Sequence, residues 1–348
     1  MISNKLDNIN LYVDSLSLKN NEPGIYHSYM GCLATSLNFI SSELDPVWLM
    51  GSSAFAFRIF VNETMCPSAM SMFSFNEILP EAIEQAGYNC IYIERMWNEN
   101  EKEEAKRIKA HKAIVEGIKV GIPAIVWDVS DAEWGLIVGY DDEKESYFTL
   151  SHQGKPLILP YIKLGNNGID ILSVSIPGEP NLRDRDQVIK NTLKAAVAHA
   201  EGKEWIDERP TYQNGIKAYD LWASIFEKWS WIVAAGKSDK IGVDIVYLAC
   251  YYAGHYYSAR CYARDFLKKI AQDDKNLKKA SFAYDRVADF LKPLWLYFSK
   301  RKIPDTKLLK SFAQNIDNAK KFEKEGIEFI KKYLNQSNFT AAADNRVM

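Results

Sequence analysis

The sequence lacks the features that mark secreted, disulfide-stapled or membrane-spanning chains. Its five cysteines form no CxxC pair and are odd in number, which predicts reduced thiols rather than a disulfide framework. No stretch approaches the roughly 18 uninterrupted apolar residues of a membrane span. The polar first ten residues have no apolar core of the kind that secretory signals carry. We therefore expect a cytoplasmic protein.

The chain also has no excess charge of one sign. It carries 43 Lys and Arg against 45 Asp and Glu, a formal net charge of -2. That balance gives no electrostatic reason to expect a nucleic-acid or membrane partner. No Walker, Rossmann or HExxH motif is present. Cys250 and Cys261 would lie about three helical turns apart, too far to share an ion. We expect no cofactor and no metal.

Apolar and aromatic residues, by contrast, are plentiful, and their spacing in the first half predicts an α+β fold. Hydrophobic residues make up 47% of the chain and aromatic residues 13%. A helical period over 31–42 opens the first half, and further helices are predicted at 77–86 and 101–120. Strand-like runs are predicted at 54–61, 89–94, 123–127, 134–140, 147–150 and 171–176. One early helix followed by successive strands is typical of a largely antiparallel sheet.

The pattern changes after Pro177-Gly178-Glu179-Pro180, which has the composition of a linker. No strand pattern follows it. Helices are predicted near 183–200, 215–234, 243–271, 277–298 and 307–333, with the lengths and short connections of a helical bundle. We therefore predict an α+β domain over 1–180, an all-helical domain over 181–334, and a disordered tail over 335–348.

Cys32 is the sharpest chemical feature. It directly follows Gly31 in the first turn of the predicted helix, where unpaired backbone N–H groups and the helix dipole favour a thiolate. A thiolate is the form in which cysteine acts as a nucleophile, and the same N–H groups can hold an oxyanion. The competing interpretation is structural, because most cysteines are buried and inert.

A nucleophilic cysteine needs a base, and histidine is scarce. His27 precedes Cys32 by five residues, and His152 directly follows the predicted strand at 147–150. For any one histidine, an ordinary hydrogen-bonded or exposed position is the more common role. The chain contains five of them: His27, His111, His152, His199 and His255.

Several short motifs in the first half carry a family resemblance. They are Gly31-Cys32-Leu33-Ala34-Thr35-Ser36-Leu37, Gly51-Ser52-Ser53-Ala54-Phe55-Ala56-Phe57, the run from Gly121 to Trp127, and the run from Glu133 to Asp142. Together they resemble the N-terminal domain of the butirosin-biosynthesis H family, which is similar to bacteriocin-processing, papain-like cysteine peptidases. The run from Gly215 to Trp222 is similar to the helical domain appended in that group.

The resemblance implies a papain-like fold for the first domain and acyl transfer from a carrier protein to an amine. This chain departs from the family pattern at one important place. A histidine ordinarily precedes the strand that ends in Gly-Tyr-Asp, whereas this chain has Glu133 followed by Trp134. The position of the third, orienting residue falls near His152.

Two functional hypotheses follow. In the first, the roles are exchanged, so that Cys32 is the nucleophile, His152 the base and Glu133 the orienting carboxylate of a hydrolase or acyltransferase acting on an amide or thioester. In the second, catalysis is lost and a papain-like scaffold binds a ligand. Either would engage a small molecule, a peptide or a carrier-bound acyl group, and a homodimer is compatible with both. A weaker third hypothesis is a scaffold that functions through its helical half.

Ligand-binding residues are predicted from two places. His27 and Trp134 flank the predicted catalytic residues. The aromatic run from Tyr251 to Tyr257, with Arg260 after it, is dense enough to line a pocket, although a packed helix face is its more common role. The predicted ligand-binding residues are His27, Trp134, Tyr252, His255, Tyr256 and Arg260.

Overall fold

The computed structural model describes residues 3–6, 11, 22–41, 43–204, 211–236 and 243–344. It confirms an α+β chain with a mainly antiparallel sheet. The chain divides into two compact units that alternate along the sequence: the first comprises 1–15, 25–49 and 73–184, and the second 16–24, 50–72 and 185–348. The observed division therefore differs from two consecutive domains that meet at residue 180.

Strands and helices are numbered in chain order. The strands are β1 Ser3–Lys5, β2 Phe60–Asn62, β3 Tyr88–Arg95, β4 Ala124–Ser130, β5 Glu133–Asp141, β6 Ser146–Ser151, β7 Pro156–Pro160, β8 Leu172–Pro180 and β9 Tyr212–Asn214. The helices are α1 Ser28–Ile40, α2 Pro46–Ser52, α3 Phe75–Gln85, α4 Glu103–Lys119, α5 Arg185–Ala200, α6 Gly215–Ala234, α7 Val243–Ala271, α8 Lys275–Phe298 and α9 Thr306–Asp344.

The sheet of the first unit has the order β3-β8-β4-β5-β6-β7, and every neighbouring pair is antiparallel. Strand β1 joins it beside the second half of β5, with Lys5 opposite Gly139. A Cβ atom at Gly139 would lie 2.6 Å from the carbonyl oxygen of Asn4. Glycine at this position therefore lets β1 come within pairing distance.

Helices cover both faces of this sheet. On one face, Ile114 of α4 packs with Val174 and Ile176 of β8 in the core of the unit. On the other face lies α1, whose Tyr29 hydroxyl donates to Ser175 Oγ at 3.2 Å. Valine and isoleucine alternate with serine along β8 because successive strand residues point to opposite faces. The first unit is thus a sheet between two helical layers.

Two predictions for the first half are wrong. The segment Pro177–Pro180 is the end of β8 rather than a linker, with Pro177 opposite Cys90 and Pro180 opposite Tyr88. This segment pairs with β3 only, because the pairing of β8 with β4 is confined to Val174 and Ser175. The two prolines therefore remove no hydrogen bond between β8 and β4. The strand or extended segment predicted over 54–61 is a strand only at its end, in β2; a 3-10 turn precedes it, and both belong to the second unit.

The five long helices of the second half were predicted, and α5 to α9 confirm them within a few residues. The last one runs further than expected, because α9 continues to Asp344 where a disordered tail from 335 was predicted. Ala341, Ala342 and Ala343 favour a helix, but Asn335, Asn338 and Thr340 before them do not, so helix propensity alone does not explain the continuation. Residues 345–348 lie outside the described residues.

The second unit is built around residues 50–72, which come from the first half of the chain. Ala54, Phe57 and Val61 in this segment are buried. A Cβ atom at Gly51 would lie 2.0 Å from the ring of Phe266 in α7, so this glycine permits the close approach of segment and helix. The apolar run at 54–61 is therefore core sequence of the helical unit.

Two tyrosines of α7 hold the main chain of this segment. The Tyr252 hydroxyl accepts from the backbone N–H of Asn62 at 3.3 Å and donates to the carbonyl oxygen of Cys66 at 2.9 Å. One turn later, the Tyr256 hydroxyl accepts from the N–H of Phe60 at 2.9 Å and donates to the carbonyl oxygen of the same residue. Buried main-chain groups that would otherwise lack partners are satisfied in this way.

A further turn along the same face, Arg260 binds the segment through its guanidinium. Two nitrogens form a bidentate pair with Glu323 of α9 at 2.8 and 2.7 Å. A third nitrogen donates to the carbonyl oxygens of Ala56 and Arg58 at 3.2 and 3.0 Å. Arg260 and Glu323 are both buried, so each charge depends on the other for its compensation.

His199 of α5 completes the attachment. Its Nε2 accepts from the backbone N–H of Ile59 at 2.8 Å, and its Nδ1 lies 3.0 Å from Glu204. Glu204 also pairs with Arg58 at 2.5 Å. Burial alone would raise the pKa of Glu204, but Arg58 and His199 outweigh it and bring the pKa down to about 2. No helix among the described ranges is long and apolar enough to cross a membrane.

We predict that Tyr256→Phe lowers the free energy of unfolding by about 1–3 kcal/mol, because it leaves the buried N–H and C=O of Phe60 without a partner. Urea denaturation followed by circular dichroism measures the change. Tyr247→Phe is the matched control, since Tyr247 lies on the same helix and its side chain is 48% exposed. Equal stabilities of the two variants would contradict a main-chain role for Tyr256.

Candidate functional site

Cys32 lies deeper in its helix than predicted. Helix α1 begins at Ser28 rather than Gly31, with His27 as the N-cap, so Cys32 is in the second turn. The N–H of Gly31 already donates to the carbonyl oxygen of His27 at 2.9 Å. Helical bonding therefore starts before Cys32, and its N–H is not one of the unpaired groups that could hold an oxyanion.

The direction of the pKa shift of Cys32 is also opposite to the expectation. Its side chain is 1% exposed. Burial raises the pKa of the thiol well above its ordinary value, and the nearby carboxylate of Glu133 raises that pKa further. Within the part of the chain that the structure describes, the thiol has no hydrogen-bond partner. Burial and Glu133 thus shift the pKa of the Cys32 thiol upwards, whereas a position in the first helical turn predicted a lowered pKa.

Glu133 is the first residue of β5 and is positioned by a tight turn. Asp131 and Ala132 both have positive φ, 57° and 54°, as a two-residue type I′ hairpin requires. The Ser28 hydroxyl donates to Glu133 Oε2 at 2.5 Å. Sequence reasoning missed Ser28. The available signal was its spacing, because residues four apart share one face of a helix and Ser28 precedes Cys32 by four.

His152 occupies the turn between β6 and β7. The N–H of Gly154 closes this turn onto the carbonyl oxygen of Ser151 at 2.8 Å. Ser151 lies opposite Gly135 of β5, so the turn that holds His152 follows at the end of the sheet where Glu133 begins its strand. The Nδ1 atom of His152 is buried without a partner among the described residues.

The structure thus assembles the predicted catalytic residues only in part. Cys32 and Glu133 lie within electrostatic range of each other, and His152 lies at the same end of the sheet as Glu133. Across the described ranges, no hydrogen bond joins Cys32 to His152. A base must reach its nucleophile within about 2.6–3.2 Å, or somewhat further without substrate.

Trp134 is a core residue. Its side chain is fully buried, and its ring meets those of Tyr29, Phe75 and Trp127 with centroids 4.9, 5.3 and 5.0 Å away. Such edge-on and tilted aromatic contacts stabilise a packed interior. Its role in binding a ligand stays a prediction, and its packing on α1 explains its presence without one.

His27 caps α1. Its backbone is extended, and its Nδ1 accepts from the N–H of Tyr29 at 3.2 Å. The ring also lies near Phe73, with centroids 6.4 Å apart. Capping satisfies one of the unpaired donors at the start of a helix, which gives His27 a structural role.

The remaining predicted ligand residues belong to the second unit. Tyr252, Tyr256 and Arg260 use their polar atoms to hold residues 56–66. The His255 ring packs edge-on against Tyr256, with centroids 4.9 Å apart. A ligand-binding role for these residues stays a prediction, because the packing of the unit already accounts for each of them.

The described residues contain no group of three or more His, Cys, Asp or Glu side chains arranged to hold a metal ion. Compared with known proteins, the chain matches no protein-family model and no curated protein.

We predict that His27→Ala destabilises the protein by about 0.5–2 kcal/mol, because it removes the N-cap of a buried helix. Thermal or urea unfolding measures the loss. His27→Asn is the matched control, since asparagine caps helices well and should retain most of the stability. If His27→Asn were as unstable as His27→Ala, the capping role would be refuted.

Proposed function

We propose that this chain is a non-catalytic binding protein, in which a papain-like α+β unit retains the position of the nucleophile but not its activation. One observation carries the proposal: Cys32 is buried near the carboxylate of Glu133, and both its burial and that carboxylate raise the pKa of its thiol. The thiolate is the nucleophilic form of cysteine, and both burial and a neighbouring negative charge oppose its formation.

The papain-like assignment, of the butirosin-biosynthesis H type, is part of the same proposal. It is supported by the packing of α1, which carries Cys32, on a fully antiparallel sheet. It is also supported by the position of Glu133 at the start of β5, where the resembling family has its histidine. A carboxylate is an intrinsically weaker base than a neutral imidazole, and the carboxylate of Glu133 already accepts a hydrogen bond from Ser28.

A cysteine-dependent hydrolase or acyltransferase is the second candidate, and His152 is the observation that favours it. Its buried Nδ1 has no partner in the described ranges, so this nitrogen is available to accept a proton. In that mechanism the sulfur of Cys32 would attack an amide or thioester carbonyl while its proton passes to His152. His152 would return that proton to the leaving amine or thiol, and the acyl group on Cys32 would then pass to water or to an acceptor amine.

We predict that in the native protein Cys32 reacts with iodoacetamide on the order of a hundredfold or more slowly than in urea, at every pH between about 6 and 9. Alkylation becomes slow because the thiol must be both exposed and ionised to react. Peptide mass mapping of time courses measures the rate at each cysteine, and the half-buried Cys66 is the internal reference.

Two variants separate the candidates. Under the binding proposal, His152→Ala leaves the native rate at Cys32 unchanged, and Glu133→Gln raises it slightly by removing the negative charge. Fast native labelling below about pH 8.5 that His152→Ala slows would overturn the proposal in favour of the enzyme. An acyl adduct on the Cys32 peptide after incubation with a simple acyl thioester would do the same.

A further inference from the structure

The first unit contains an open groove that none of the predicted site residues lines. It has a volume of about 310 Å³, near the lower end of the range of about 300–1,000 Å³ in which small-molecule sites fall. Four strands form it: β1, β5, β6 and β7. Its lining includes Lys5, Val138, Phe148, Leu150, Pro156 and Ile158.

The register of the strands makes this lining one continuous surface. Ile158 of β7 lies opposite Phe148 of β6, and Pro156 lies opposite Leu150. Residues directly opposite in antiparallel strands point to the same face, and so do residues two apart in one strand. Phe148, Leu150, Pro156 and Ile158 therefore form a single apolar patch. Ile158 is 60% exposed, so the patch is open to solvent.

One cation lies at the edge of this patch. The Nζ atom of Lys5 is 5.2 Å from the centroid of the Phe148 ring. Across the described ranges Lys5 forms no ion pair with a carboxylate. As far as the described residues show, the groove therefore combines an apolar channel with the ammonium of Lys5, which pairs with no carboxylate among them.

We infer that the groove binds an unbranched aliphatic carboxylate of medium length, with its chain along Phe148, Leu150 and Ile158 and its carboxylate paired with Lys5. A neutral apolar ligand would form no ion pair with the ammonium group of Lys5, and an aliphatic ammonium ion would be repelled by it. The inference names a ligand class for the proposed binding role and rests on that role.

Calorimetric titration of the full chain with octanoate, decanoate and decanol tests the inference. Each added methylene should improve affinity by up to about fourfold as it enters the apolar channel. Lys5→Met should weaken decanoate binding by about two- to fivefold, the strength of an exposed ion pair, and leave decanol binding unchanged. A loss of equal size for decanol would overturn the role of Lys5.

Ile158→Asp locates the site, because it places a negative charge on the patch and should abolish decanoate binding. Ile162→Asp is the matched control: Ile162 is 62% exposed but does not line the groove. Decanoate binding that is absent in the wild type, or that survives Ile158→Asp, refutes the groove. That result is independent of the Cys32 labelling rates, which alone decide between binding and catalysis.

Discussion

Desolvation of the second turn of α1 governs the chemistry of Cys32. The position of a cysteine near a helix N-terminus would favour its thiolate, but that effect is about 0.3–1 kcal/mol and falls off within the first turn. Full burial can shift a pKa by up to about 3–5 units in the opposite direction, several times as much. Burial therefore prevails for Cys32, which is 1% exposed and one turn too deep.

The neighbours of Cys32 reinforce the same outcome. Glu133 adds a negative charge near the thiol, and Ser28 stabilises that carboxylate by hydrogen bonding. Ser28, Cys32 and Glu133 form a small polar group next to the aromatic residues Tyr29 and Trp134. Burial and the carboxylate of Glu133 therefore act in the same direction on the pKa of the Cys32 thiol.

The second unit depends on a different kind of constraint. Its helices enclose residues 50–72, so main-chain groups of that segment must find partners inside the unit. Tyr252, Tyr256 and Arg260 provide them from successive turns of α7. The aromatic density that suggested a ligand pocket is thus explained by a structural need, since tyrosine offers both a large apolar ring and a hydroxyl.

Long periodic elements were predictable from the sequence, and long-range pairing was not. Helices α5 to α9 and strands β3, β5 and β8 followed from apolar spacing and from breakers such as Gly121. The sequence did not indicate that residues 50–72 belong to the helical unit. An apolar run such as 54–61 has the same pattern in the core of a helical unit and in the core of an α+β unit. Strands β1 and β9, of three residues each, are too short to show a period.

The same distinction holds for the candidate site. Family resemblance predicted Cys32, His152 and Glu133 in one cleft, with Glu133 orienting His152. Glu133 lies within electrostatic range of Cys32, and the exchange of roles stays a prediction. The start of α1 was set three residues late, because the apolar period that predicted it begins only at Leu33. The burial of Cys32, which decides the direction of its pKa shift, could not be read from that period.

The most direct test of this account is a pH titration of the Cys32 thiol in the folded protein, measured as thiolate ultraviolet absorbance in the wild type minus Cys32→Ala. The account predicts no difference signal up to and beyond the ordinary thiol pKa of about 8.5, until the protein unfolds at high pH. A thiolate that titrates below that value, and whose pKa rises in His152→Ala, would contradict the account and identify Cys32 as an activated nucleophile.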